Sequence, residues 1–120
     1  MVASDDALGR LTVTTPTPRV LMQSTATKGE VFRVKTIINH QMETGLRHDA
    51  QDRVIPRKII NRFACRYGGV EVFSVDLHEA VSANPYIEFY LLATESGPLE
   101  FVWQEDGGGS YRLETQLAVA

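Results

Sequence analysis

The sequence predicts an all-β domain, an immunoglobulin-like or fibronectin-like β-sandwich of about seven strands. Three observations predict it. Short runs rich in β-branched and aromatic residues recur at near-regular spacing. Within the clearest of them, apolar and polar side chains alternate with period two. Glycine, proline and polar turn signals separate them, and no stretch carries the periodicity of a long helix.

In chain order, residues 1–18 read as a flexible leader, closed by Thr14, Thr15, Pro16, Thr17 and Pro18, which block regular structure. Residues 19–23 make a brief first strand and 24–29 a polar turn. In Val31–Ile38 the alternation is clean, with Phe32, Val34, Thr36 and Ile38 on one face and Val31, Arg33, Lys35 and Ile37 on the other. Residues 39–56 are polar, contain Gly45 and end at Ile55 and Pro56. They predict a long structured loop, a feature that is uncommon in compact domains and often functional.

Strands resume over 58–67 and 70–75, with Gly68 and Gly69 as the hairpin turn between them. Alternation puts Ile59, Asn61, Phe63, Cys65 and Tyr67 toward the core and Lys58, Arg62 and Arg66 away from it. An irregular segment, 76–85, follows, in which Asp76 and Glu79 are spaced to cap one helical turn. The remaining strands are 86–93, 99–104 and 111–119, the last two joined by an acidic, glycine-rich turn at 105–110. Leu99, Phe101 and Trp103 share one face, as do Tyr111, Leu113, Leu117 and Val119. There are no internal repeats.

A chain of 120 residues with 43% hydrophobic content has room for one domain and one core. Twelve basic against fifteen acidic residues give a net charge of −3, which argues against a dedicated nucleic-acid binder. No apolar run approaches the roughly 20 residues that span a bilayer. The N-terminus lacks the basic start and apolar segment of a secretory signal, so the expectation is a cytoplasmic chain or a mature one whose signal has been removed. Charge is uneven: residues 47–66 carry six basic side chains against Asp49 and Asp52, while from Tyr86 onward six acidic side chains face Arg112 alone. Solvated strand faces explain this, as does a surface that steers a charged partner.

Candidate chemistry is sparse. His40 and Met42 place a nitrogen and a thioether two residues apart, soft ligands that suit copper(I), with His48, His78 and Asp76 as further donors. That motivates one reading as a small copper-binding periplasmic sandwich. No pair shows the spacing of a dedicated site, however, and the expectation is no metal and no cofactor. Cys65, the single cysteine, rules out an internal disulfide; packed in a strand it is inert, and its functional alternative is a disulfide to another subunit. Glu105 and Asp106 stand in a glycine-rich hairpin that reads as a water-exposed tip, unsuited to acid–base work. Nothing assembles a catalytic centre, and the loops 40–57 and 76–86 fit either an interaction module or simple covers for the ends of the sandwich.

Those loops carry a family resemblance. His40-Gln41-Met42-Glu43-Thr44-Gly45, then Val54-Ile55-Pro56-Arg57-Lys58-Ile59-Ile60-Asn61-Arg62-Phe63, resembles the SoxZ family. So do Glu71-Val72-Phe73-Ser74-Val75-Asp76-Leu77-His78, Ser82-Ala83-Asn84-Pro85-Tyr86 and the closing Phe101-Val102-Trp103 with its acidic hairpin. The likeness covers about residues 19–119, making 19–120 a SoxZ-like sandwich domain. Glu79 stands where the family pattern has proline, and Cys65 is not part of that pattern.

The resemblance implies a non-catalytic subunit of a sulfur-carrier complex in thiosulfate oxidation. Its partner would be a SoxY-type subunit bearing sulfur intermediates on a cysteine in a flexible Gly-Gly-Cys-Gly-Gly tail. The pair would form a heterodimer or a higher assembly, meet other sulfur-oxidation enzymes transiently, and bind neither nucleic acid nor membrane. Its place would be the periplasm, reached by export together with the partner. Expected partner-binding residues are His40, Met42, Arg57, Lys58, Ile60 and Arg62, with Cys65 as the candidate for an inter-subunit disulfide.

Overall fold

The computed structural model describes residues 16–40, 42–78 and 84–120. Among these are eight strands: β1 (Pro18–Leu21), β2 (Thr25–Ala26), β3 (Val31–Ile38), β4 (Ile60–Tyr67), β5 (Val70–Asp76), β6 (Tyr86–Leu92), β7 (Gly97–Glu105) and β8 (Ser110–Val119). They form two sheets, ordered β1-β3-β6 and β2-β8-β7-β4-β5. The fold class is the all-β sandwich that the alternating pattern predicts. The strand absent from the sequence reading is β2, two residues within the polar turn 24–29, which pairs in parallel with the end of β8. A two-residue strand has no periodicity to detect. The leader's first fifteen residues and the helical turn anticipated at Glu79 lie outside the described residues.

Period-two burial builds the core. Phe32, Val34, Thr36 and Ile38 of β3 are buried, as are Leu99, Phe101 and Trp103 of β7. The one polar group in that β3 row is satisfied: Thr36 donates its hydroxyl to the Ile87 carbonyl at 3.0 Å. Phe63 lies at the centre, its ring 5.1 Å from Trp103, 5.8 Å from Phe89 and 6.2 Å from Phe73. Because Phe89 belongs to the three-stranded sheet and the others to the five-stranded one, these aromatic contacts fasten one layer to the other. The hairpin between β4 and β5 turns at Gly68 and Gly69, with φ of 60° and 85°, left-handed geometry that glycine adopts without steric cost.

One face assignment changes. Strict alternation sends Asn61 inward and Ile60 outward, but Ile60 is fully buried and Asn61 is half-buried. The register of β4 against β7 shifts between Ile60 and Arg62, a bulge that puts an extra residue on β4 and restarts the alternation. Phe63, Cys65 and Tyr67 then fall inward as predicted.

Candidate functional site

The long loop between β3 and β4 lies against the β7–β8 hairpin, and two adjacent carboxylates hold it there. Glu105, the last residue of β7, is 8% exposed. Its Oε2 accepts from His40 Nε2 at 2.5 Å and from the Tyr111 hydroxyl at 2.8 Å, while Lys58 Nζ stands 3.8 Å from Oε1. A carboxylate only accepts, so the proton of the first bond sits on Nε2. Asp106 accepts from Arg57 Nε and Nη2 at 2.8 and 2.9 Å, from the Asn61 amide at 3.0 Å and from the Ile59 backbone N–H at 3.2 Å. Its own N–H donates to the Ile59 carbonyl at 2.9 Å. The bidentate arginine adds directional specificity to charge.

The loop has further ties of its own. Glu43 and Lys58 exchange backbone hydrogen bonds of 2.9 and 2.7 Å, and Met42 Sδ accepts the Ile60 N–H at 3.3 Å. Gly109 leaves room for the Glu105 carboxylate, since a Cβ there would come within 2.8 Å of its Oε1 and push it aside. Opposite Gly109, the Glu105 carboxylate reaches His40 across the end of the sandwich.

This corrects the reading of Glu105 and Asp106 as an exposed tip. The glycines do make a tight turn, but the loop packs over the carboxylates, burying Glu105 and partly covering Asp106. Burial alone would raise the pKa of Glu105; hydrogen bonds from His40 and Tyr111, with the charge of Lys58, outweigh it and hold the carboxyl below its ordinary 4.5. For Asp106 the Arg57 bond dominates, and the carboxyl again lies below its ordinary value.

Of the residues singled out from sequence, His40, Met42, Arg57, Lys58 and Ile60 converge on this clasp. Arg62 does not: it lies on the outer face of the five-stranded sheet, paired with Asp76 at 3.1 Å and Glu71 at 3.2 Å. His40 and Ile60 are buried, so neither side chain is open to direct contact from outside the domain. Cys65 is completely buried and burial pushes its thiol up to about 12, so a disulfide to another chain requires β4 to open. Two donors of the copper reading are engaged inside the fold, His40 Nε2 with Glu105 and Met42 Sδ with the Ile60 N–H. Among the described residues no group of three or more His, Cys, Asp or Glu side chains is placed to hold a metal.

The uneven charge along the chain resolves largely into ion pairs across it. Arg57 meets Asp106, Arg66 meets Glu100 at 3.5 Å, and Arg112 also meets Glu100. Tyr111 was missed as a site residue, and Glu105 and Asp106 were set aside as a wet tip. Nothing local marks their bracing role, since Asp106 meets Arg57 across 49 positions of sequence.

The arrangement is a loop braced by two carboxylates at one end of the sandwich. Comparisons bear on what it serves. The family model described as "Sulphur oxidation protein SoxZ" matches residues 20–116. No curated protein matches the chain. Among solved structures, a superoxide reductase (neelaredoxin) from Ignicoccus hospitalis superposes with a TM-score of 0.66 at 16% identity, covering 87% of this chain and 80% of that one. Two substituted forms of the same enzyme give the same values. At that identity the likeness concerns the fold alone.

Proposed function

The chain belongs to the SoxZ family, and from that premise we propose that it is the non-catalytic body subunit of a sulfur carrier in thiosulfate oxidation. In this reading it pairs with a SoxY-type subunit whose tail cysteine holds the sulfur intermediates, and other sulfur-oxidation enzymes meet the pair transiently. The pair works in the periplasm, to which both chains are exported together. The observation that carries the reading is the family match over residues 20–116, which takes in nearly the whole sandwich and the braced loop.

The physical character of the chain supports it. A carrier whose arm must enter several active sites needs a body that keeps its shape, and an aromatic core with a clasped loop provides one. The one thiol is held protonated and out of reach, which suits a subunit that leaves sulfur chemistry to its partner.

The test is mass spectrometry of the co-purified pair after exposure to thiosulfate and the enzymes that load it. Sulfur adducts on the partner's tail cysteine alone are the expected result. An adduct on Cys65, or thiosulfate turnover by this chain in isolation, sinks the assignment.

A further inference from the structure

Nine large apolar side chains are exposed among the described residues, and seven of them gather on one flank. Leu21, Val31, Tyr86, Tyr90 and Leu92 stand on the outer face of the β1-β3-β6 sheet, and Val70 and Val72 on the neighbouring edge strand β5. Strand register sets them in rows: Arg19, Ile37 and Tyr86; Leu21, Lys35 and Glu88; Arg33 and Tyr90; Val31 and Leu92. An open groove of about 350 Å³ beside Leu21, Ile37 and Tyr86 marks one end. A second, of about 500 Å³, runs from Tyr90 and Leu92 across to Val70 and Val72.

The opposite outer face has another character. Across β5, β4, β7 and β8, Arg62, Arg66 and Arg112 pair with Glu71, Asp76 and Glu100, giving a self-compensated, solvated surface. Contiguous apolar area of this kind marks an interaction surface, and among the described residues this flank, the β1-β3-β6 face with the β5 edge, carries most of it.

Charge selects the occupant. On the apolar face Arg19, Arg33 and Lys35 stand against Glu88, which Arg33 engages at 3.6 Å and the Tyr86 hydroxyl at 2.6 Å. The face is locally basic on a chain of net charge −3. A second copy would bring three cations against three, with one Glu88 on each side to offset them. An apolar patch bordered by carboxylates is complementary.

Resting on the carrier-body reading above, we propose that the outer face of the β1-β3-β6 sheet is where the sulfur-bearing subunit docks, through an apolar patch rimmed by acidic side chains. Tyr86 and Tyr90 are its central anchors, since large rigid amphipathic side chains carry most binding energy at such interfaces. Arg19, Arg33 and Lys35 set orientation and rate of encounter.

The test is calorimetric binding of the full chain to a purified SoxY-type subunit, for wild type, Tyr90→Glu, Arg33→Glu and a control, Gln116→Glu, on the other sheet. Tyr90→Glu is expected to weaken binding about 100-fold. Arg33→Glu should weaken it about tenfold and flatten its salt dependence. The control should stay within about twofold of wild type. Circular dichroism melts establish folding, and Tyr90→Ser replaces Tyr90→Glu if the latter unfolds. Wild-type affinity in both face variants, or loss in the control, overturns the placement while leaving the pairing intact. Failure of the wild-type chain to bind refutes the pairing itself. A homodimer that Tyr90→Glu dissociates overturns the proposal in favour of a second copy.

Discussion

Replacing Glu105 with alanine should loosen the long loop and lower the stability of the whole domain. Two charge-assisted hydrogen bonds vanish, from His40 at 2.5 Å and Tyr111 at 2.8 Å. The His40 side chain is 3% exposed and its Nδ1 already lacks a partner among the described residues, so the variant leaves the ring without a hydrogen bond. Removing one member of a buried hydrogen-bonded pair costs about 3–5 kcal/mol. The lower end applies here, because water can enter the space the side chain vacates; Lys58, 61% exposed, adds less than about 1 kcal/mol. With an unfolding entropy of about 0.25 kcal/mol per kelvin for a domain of this size, a loss of about 3 kcal/mol lowers Tm by about 12 °C. Thermal denaturation followed by circular dichroism measures it, and Glu114→Ala, on the exposed face of β8, should move Tm by no more than about 2 °C. Hydrogen exchange adds a local readout: the Glu43 amide, bonded to the Lys58 carbonyl at 2.9 Å, should exchange faster. A Tm within about 3 °C of wild type would refute the clasp as a stabilising element.

Further outcomes follow from the same geometry. Glu105 and Asp106 both have folded pKa values below their ordinary 4.5 and 3.8, so their contribution is complete above those values and is lost as pH falls through the folded ones. Denaturant midpoints should therefore drop below about pH 4.5, and Glu105→Gln with Asp106→Asn should flatten that drop. Gly109→Ala forces Glu105 Oε1 aside, since the new Cβ would lie 2.8 Å from it; a Tm loss smaller than that of Glu105→Ala but clearly measurable is expected. Phe63→Ala removes the ring that meets Phe73, Phe89, Phe101 and Trp103 and should cost about 3–5 kcal/mol in a urea titration. Cys65, with its thiol pushed up to about 12, should resist a maleimide at pH 7 in the folded protein and react fully in denaturant; rapid labelling of the native chain would contradict its burial.

The sandwich and most of its strands were legible in the sequence because period-two alternation is a local property. Val31–Ile38 shows it without interruption, and the paired glycines at 68 and 69 announce their hairpin. Where local pattern ended, reading failed in identifiable ways. The bulge at Asn61 inverted Ile60, since an extra residue in one strand is defined only against its partner. Glu105 and Asp106 looked exposed because glycine-rich acidic turns are usually wet. Their burial depends on a loop that closes over them from 65 positions away in the case of His40.

Alternation, turn residues and aromatic content determined by themselves that the chain is an all-β sandwich, and the ordered motifs between residues 40 and 103 were sufficient to signal its family. Tertiary structure alone decided that the two hairpin carboxylates brace the family's loop, and that exposed apolar residues scattered from Leu21 to Leu92 share one flank. The reason is physical. Backbone periodicity is written residue by residue, whereas a buried ion pair and a contiguous apolar face exist only once distant strands have set their register against one another.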